Sequence, residues 1–103
     1  MARRRGPIWG AESEDLNATL LEWPPGEGPP EHVNESRDVA LIVLDGSGEL
    51  VLDGEARPLR AGEAIVIEKG RSRRISAGPD GIRVEFLRPG LRIDGKQRCE
   101  RAG

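Results

Sequence analysis

Tyrosine is absent, and phenylalanine, histidine and cysteine each occur once. The lone Cys99 cannot close an internal disulfide, so packing and backbone hydrogen bonds must hold the fold; in its polar surroundings it is read as an incidental thiol. With His32 as the only imidazole and Cys99 outside every motif, no Ser-His-Asp or Cys-His pair can be assembled. Phe86, Trp9 and Trp23 are too few to make a base-stacking platform, and a net charge of -2 with a pI near 5.5 lacks the basic excess of a phosphate-tracking domain. Nucleic acid is therefore not an expected partner. Long apolar runs are also missing: Arg3, Arg4 and Arg5 lead into no hydrophobic segment, and no later stretch approaches a membrane span. A soluble cytoplasmic protein without a membrane partner is expected. The triplets Asn17-Ala18-Thr19 and Asn34-Glu35-Ser36 are accordingly not read as glycosylation sites.

What the chain does have is punctuation. Its 103 residues suit one domain, and 14 Gly with 8 Pro favour short strands and tight turns over helices. Residues 1–15 mix Arg, Gly, Pro and acids without a period and read as a loosely held N-terminal arm, pinned by Trp9. LNATLLEW has strand character and stops at Pro24-Pro25-Gly26. VALIVL, residues 39–44, is apolar throughout, as a strand covered on both faces would be. Asp45-Gly46-Ser47-Gly48 reads as a turn and not as a dinucleotide loop, since it lacks the third glycine and the following helix. ELVLD then runs to Asp53-Gly54, a hairpin signal. EARPLR, AIVIE, RSRRISA and IRVEFLR follow, separated by glycine-bearing turns, until Pro89-Gly90 ends the series. The organisation is thus an arm over 1–15, a barrel over 16–90 and a polar tail over 91–103.

Two segments carry a family resemblance. GEGPPEHVNESRDVALIVLDG resembles the first motif of the cupin superfamily, with Gly26, His32, Asn34, Asp38 and Gly46 in its positions and the last spacing one residue long. GEAIVIEKGRSRRISA resembles the second, with Gly62 and Gly70 in place, Glu68 for the proline, Arg73 for the histidine and Ala77 for the asparagine. The resemblance implies an all-β fold, a single-domain cupin-type antiparallel β-barrel of the double-stranded β-helix or jelly-roll kind. It also implies motif residues facing one open end, and a dimer habit. It implies no single reaction, because that barrel serves enzymes, binding proteins and storage proteins alike.

The metal-binding members offer three His and one Glu, and this chain keeps one histidine. Asn34 is a weak neutral donor, Asp38 is shorter than Glu, and Arg73 cannot ligate. No firmly held metal or other cofactor is expected; a weakly bound divalent ion would fall to His32 and Asp38, with Glu31 or Glu35 as a further carboxylate. Alternation puts Arg73, Ile75 and Ala77 on one face of their strand, so an interior Ile75 turns Arg73 inward. The same argument applied to Asp38, Ala40, Ile42 and Leu44 turns Asp38 inward. The expected site is therefore His32, Asn34, Asp38 and Arg73, with the Arg73 guanidinium standing where a metal would lie and pairing with Asp38. Alternation also splits the RSRR cluster between faces, which removes a basic patch.

If Ala40, Ile42 and Leu44 face inward, then Val39, Leu41 and Val43 face outward and need cover, most simply from a second copy in a homodimer. Three readings follow. The leading one is a cupin without a strongly held metal that binds a small polar molecule, with anions among the candidates; the second is a small metal-dependent enzyme of the dioxygenase or isomerase kind; the third is a structural dimerisation module.

Overall fold

In a computed structural model that describes residues 3–35 and 37–89, the chain forms seven strands and no helix. They are β1 (Gly6–Glu12), β2 (Leu16–Trp23), β3 (His32–Val33), β4 (Val39–Leu52), β5 (Glu55–Arg60), β6 (Ala64–Ile67) and β7 (Ser72–Pro89). All pairings are antiparallel. The tail over 91–103, with Cys99, lies outside the described residues.

Two long strands organise the rest. β4 and β7 run beside each other and bend together, so each serves both halves of one folded-over sheet. Residues 82–89 of β7 lie between β2 and the first half of β4, with β1 and β6 beyond. Residues 72–77 lie between β3 and the second half of β4, with β5 beyond. GSG, expected as a turn between two strands, is instead the corner of one bent strand, and Gly78 to Gly81 is the matching corner of β7. Gly46 permits the corner: its φ is 80°, and a Cβ there would stand 2.2 Å from the Gly81 carbonyl oxygen. Asp53 and Gly54, both at positive φ, close the β4–β5 hairpin as the primed turn that their sequence predicts.

The two halves face each other across one apolar core. Val39, Leu41, Val43, Ile67, Val84 and Leu21 come from one side, and Leu50, Leu59, Ile75 and Ala77 from the other. The arrangement is an all-β sandwich; β1 and β5 end the described strand order without pairing to each other, so the described ladders do not close into a barrel.

Two expectations are corrected here. Val39, Leu41 and Val43 are buried, whereas Leu44 is 46% exposed. The cause is a bulge: Val43 faces Val84 and Asp45 faces Arg83, so Leu44 is an extra residue that reverses the alternation. Upstream of it odd positions face inward; from Gly46 to Leu52 even ones do. The second correction concerns the arm. Residues 6–12, read as loose, are β1, in register with β2, and Trp9 is 53% exposed and pins nothing.

Candidate ligand-binding site

The start of β7 is held from both sides. On one side the Asp53 carboxylate accepts from the Ser72 N–H at 2.8 Å and from Arg71. On the other, His32 lies opposite Arg73 in the β3–β7 ladder, and the Ser72 hydroxyl donates to the Glu31 carboxylate. The loop before β3 continues that edge: Gly26 N–H donates to the Ala77 carbonyl at 2.9 Å, and Ala77 N–H to the Glu27 carbonyl at 2.7 Å. Gly28 makes the approach sterically possible, because a Cβ there would fall 1.9 Å from the Ile75 carbonyl oxygen.

This loop and the inner faces of β2 and β7 border a half-open cavity of about 290 Å³, lined by Thr19, Leu21, Pro29, Pro30, Glu31, His32, Arg73, Ile75, Phe86 and Arg88. Directly opposed residues share a face. His32 and Leu52, which flank Arg73 in their ladders, therefore extend its inward row, and Thr19 stands beside Phe86 in the same way.

Arg73 dominates the electrostatics. It is only 9% exposed, and its guanidinium stacks over the Phe86 ring with Cζ 5.0 Å from the centroid. Among the described residues no carboxylate pairs with it. Burial, with the positive charge of Arg88 added, pulls Arg73 below the ordinary guanidinium value. Arg88 borders the same cavity and is only half-buried, but its Nε–H is shielded from solvent and meets no acceptor among the described residues. A buried charge without a partner costs several kcal/mol as an order of magnitude, so Arg73 stands out on the cavity wall as a charge whose burial the described residues do not compensate.

The expected residues are only partly brought together. His32 lies beside Arg73 on the inner row. Asn34 accepts the Arg37 N–H at 3.1 Å and closes a local turn outside the cavity wall. Asp38 points to the outer side, where its Oδ1 accepts the Lys69 N–H at 2.8 Å, so the expected Arg73–Asp38 pair is not formed. The bulge at Leu44 is the reason, for it places Asp38 with the outward set. Glu35 is exposed. Arg88, Phe86, Thr19 and Leu21 were missed. Continuing the alternation Ile82, Val84, Phe86 by one more step would have found Arg88.

A metal of the kind the family motif carries does not fit this donor set. The one imidazole stands beside the Arg73 guanidinium, Asp38 is on the far side of its strand, and among the described residues no three His, Cys, Asp or Glu side chains converge. The larger groove, about 820 Å³ around Arg3, Glu22, Asp45 and Arg83, differs in that its charges satisfy one another. Arg3 donates to Glu22 at 3.0 Å and to Asp45 at 2.8 Å, and Arg83 donates to Glu22 at 2.9 Å.

Residues 19–87 match the model of the cupin domain family, and the chain belongs to that family. Among solved structures it resembles a cupin protein from Bacteroides fragilis (26% identity, TM-score 0.70, covering 78% of this chain and 70% of that one). It also resembles KdgF from Halomonas sp. (27%, 0.75, 90% and 83%) and the polyketide cyclase RemF from Streptomyces resistomycificus (28%, 0.69, 80% and 59%). No curated protein matches the chain. Among the described residues no helix is long and apolar enough to cross a membrane.

Proposed function

We propose that the protein is a small-molecule-binding cupin whose ligand carries an anionic group held by Arg73, and that binding does not depend on a firmly held metal ion. One observation carries this reading: a nearly buried guanidinium on a cavity wall with no carboxylate partner among the described residues. The planar fork of arginine offers five N–H donors, and Phe86 covers one face of it, which leaves its donor edges for a ligand. Neighbours as different in name as KdgF and a polyketide cyclase leave the ligand to be read from the cavity and not from the fold.

The test is a thermal-shift screen of small anionic, neutral and cationic metabolites on metal-depleted protein, repeated on Arg73→Ala. Anionic compounds are expected to stabilise the wild type, by about 2.7 kcal/mol at a hundredfold excess over Kd, and to lose that effect in Arg73→Ala. Unchanged shifts in the variant would overturn the reading. So would a stoichiometric metal that survives chelation and is required for the shifts.

A further inference from the structure

We propose that the cavity takes a monocarboxylate with an apolar body, the carboxylate held between the guanidinium groups of Arg73 and Arg88 and the body resting on Leu21, Ile75 and Phe86. The inference rests on the reading of Arg73 as an anion anchor and goes further in naming a second anchor and the ligand class.

The second anchor comes from Arg88. It lines the same cavity as Arg73, its positive charge acts on Arg73, and among the described residues its shielded Nε–H has no acceptor, so the guanidinium is not tied up through that atom. An anion between two guanidinium groups supplies acceptors to both and cancels the repulsion between them. The ligand class comes from counting charge around the cavity. Arg73 and Arg88 contribute two positive charges, and Glu31 one negative charge that stays directed at Ser72. One carboxylate balances this wall, whereas a second negative charge would be repelled by the Glu31 carboxylate.

Size and wall chemistry set the body. At about 30 Å³ per water-sized group, 290 Å³ holds about ten such groups. Leu21, Ile75, Phe86, Pro29 and Pro30 give it apolar walls, and Thr19 and His32 supply the polar side chains for a substituent.

The experiment titrates the full chain with benzoate and hexanoate, with benzamide as a neutral counterpart of benzoate, and with succinate and inorganic phosphate as more highly charged anions. Benzoate or hexanoate is expected to bind saturably at millimolar concentration or below. Benzamide, succinate and phosphate should bind at least about tenfold more weakly, the scale of one charged hydrogen bond. In Arg88→Gln the affinity for the best monocarboxylate should fall by about tenfold or more. Absence of saturable binding by both monocarboxylates, or tighter binding of benzamide, succinate or phosphate, overturns the proposal on the wild type alone, so it stays testable if Arg88→Gln folds poorly. Binding that disappears in Arg73→Ala but is unchanged in Arg88→Gln overturns the two-arginine clasp and leaves the anion anchor standing. Binding unchanged in both variants overturns both readings.

Discussion

On the proposed reading, Arg73, buried with no counter-charge among the described residues, trades stability for a ligand. Replacing Arg73 with methionine keeps an unbranched side chain over Phe86 and removes the desolvated charge. The lost cation–π contact is worth about 0.5–1 kcal/mol and a sulfur–ring contact returns a similar amount. Arg73→Met is therefore expected to raise unfolding stability by about 1 kcal/mol, read by urea denaturation, while abolishing anion binding. A drop in stability would show that Arg73 serves the fold. Gly28 acts on the same site through the backbone. A Cβ placed 1.9 Å from the Ile75 carbonyl oxygen must push the loop carrying Glu31 and His32 off the edge of β7. Gly28→Ala is expected to cost about 1–3 kcal/mol and to weaken ligand binding with it, measured by denaturation and titration on one preparation. The inward turn of Arg73 was legible in the sequence, because Ile75 and Ala77 share its parity. The position of Asp38 was not, because parity propagates along a strand only until a bulge; the one-residue excess between Asp38 and Gly46 signals an extra residue there, but nothing in VALIVLDG says that it is Leu44.

At the level of elements, the corner of β4 and β7 is tied to the N-terminal segment through Glu22. Burial alone would raise the Glu22 pKa, but donors from Arg83, the Arg4 N–H and Arg3 outweigh it and hold the carboxyl below the usual range. The Arg3 hydrogen bond lowers Asp45 in the same way. A carboxyl depressed in the folded state contributes stability that is fully present above its unfolded value and is lost as pH falls through the folded one. Stability is therefore expected to decline on acidification below the ordinary values of 4.5 for Glu22 and 3.8 for Asp45. Glu22→Gln should be less stable by about 2 kcal/mol at neutral pH and should show a shallower acid decline, measured by urea midpoints across pH. Equal acid slopes in the two proteins would refute the assignment. The Asp53-Gly54 hairpin was legible, since its residue types carry the backbone requirement of a primed turn; Gly46-Ser47-Gly48 signalled a bend but not that one strand continues through it. β1 was not, because its sequence GPIWGAE has neither alternation nor β-branched density. Its order comes from pairing with β2 and from ion pairs whose partners lie far apart in the chain.

At the scale of the whole molecule, the same bulge decides which surface is left uncovered. With Val39, Leu41 and Val43 in the core, the residues that alternate with them form the outer face of the larger half of the sheet. The register aligns Ala18, Leu87, Ala40 and Val66 in one row, and Trp9, Leu20, Glu85, Ile42 and Ala64 in the next. Trp9, Leu44 and Val66 on this face are 53%, 46% and 67% exposed, and Leu16, opposite Pro89 at its end, is 49% exposed. The apolar surface once assigned to one side of VALIVL thus exists, but on the other side, and sequence alone could not choose between two equally hydrophobic faces. A second copy is the expected cover, since two like sheet faces pack about 10 Å apart and a two-fold axis presents the same patch from each partner. In such a dimer Glu85 would constrain the axis, which would have to pass on the Leu44 and Val66 side for the two carboxylates to keep contact with water instead of meeting each other. Sedimentation at micromolar concentration is expected to show a dimer. Val66→Glu would place a charge against its own symmetry mate and should raise the dimer dissociation constant by at least about tenfold. Because Val66 faces away from the cavity, the same variant should keep the wild-type affinity for anionic ligands. A wild-type monomer at those concentrations, or a Val66→Glu dimer as tight as the wild type, would refute this use of the face.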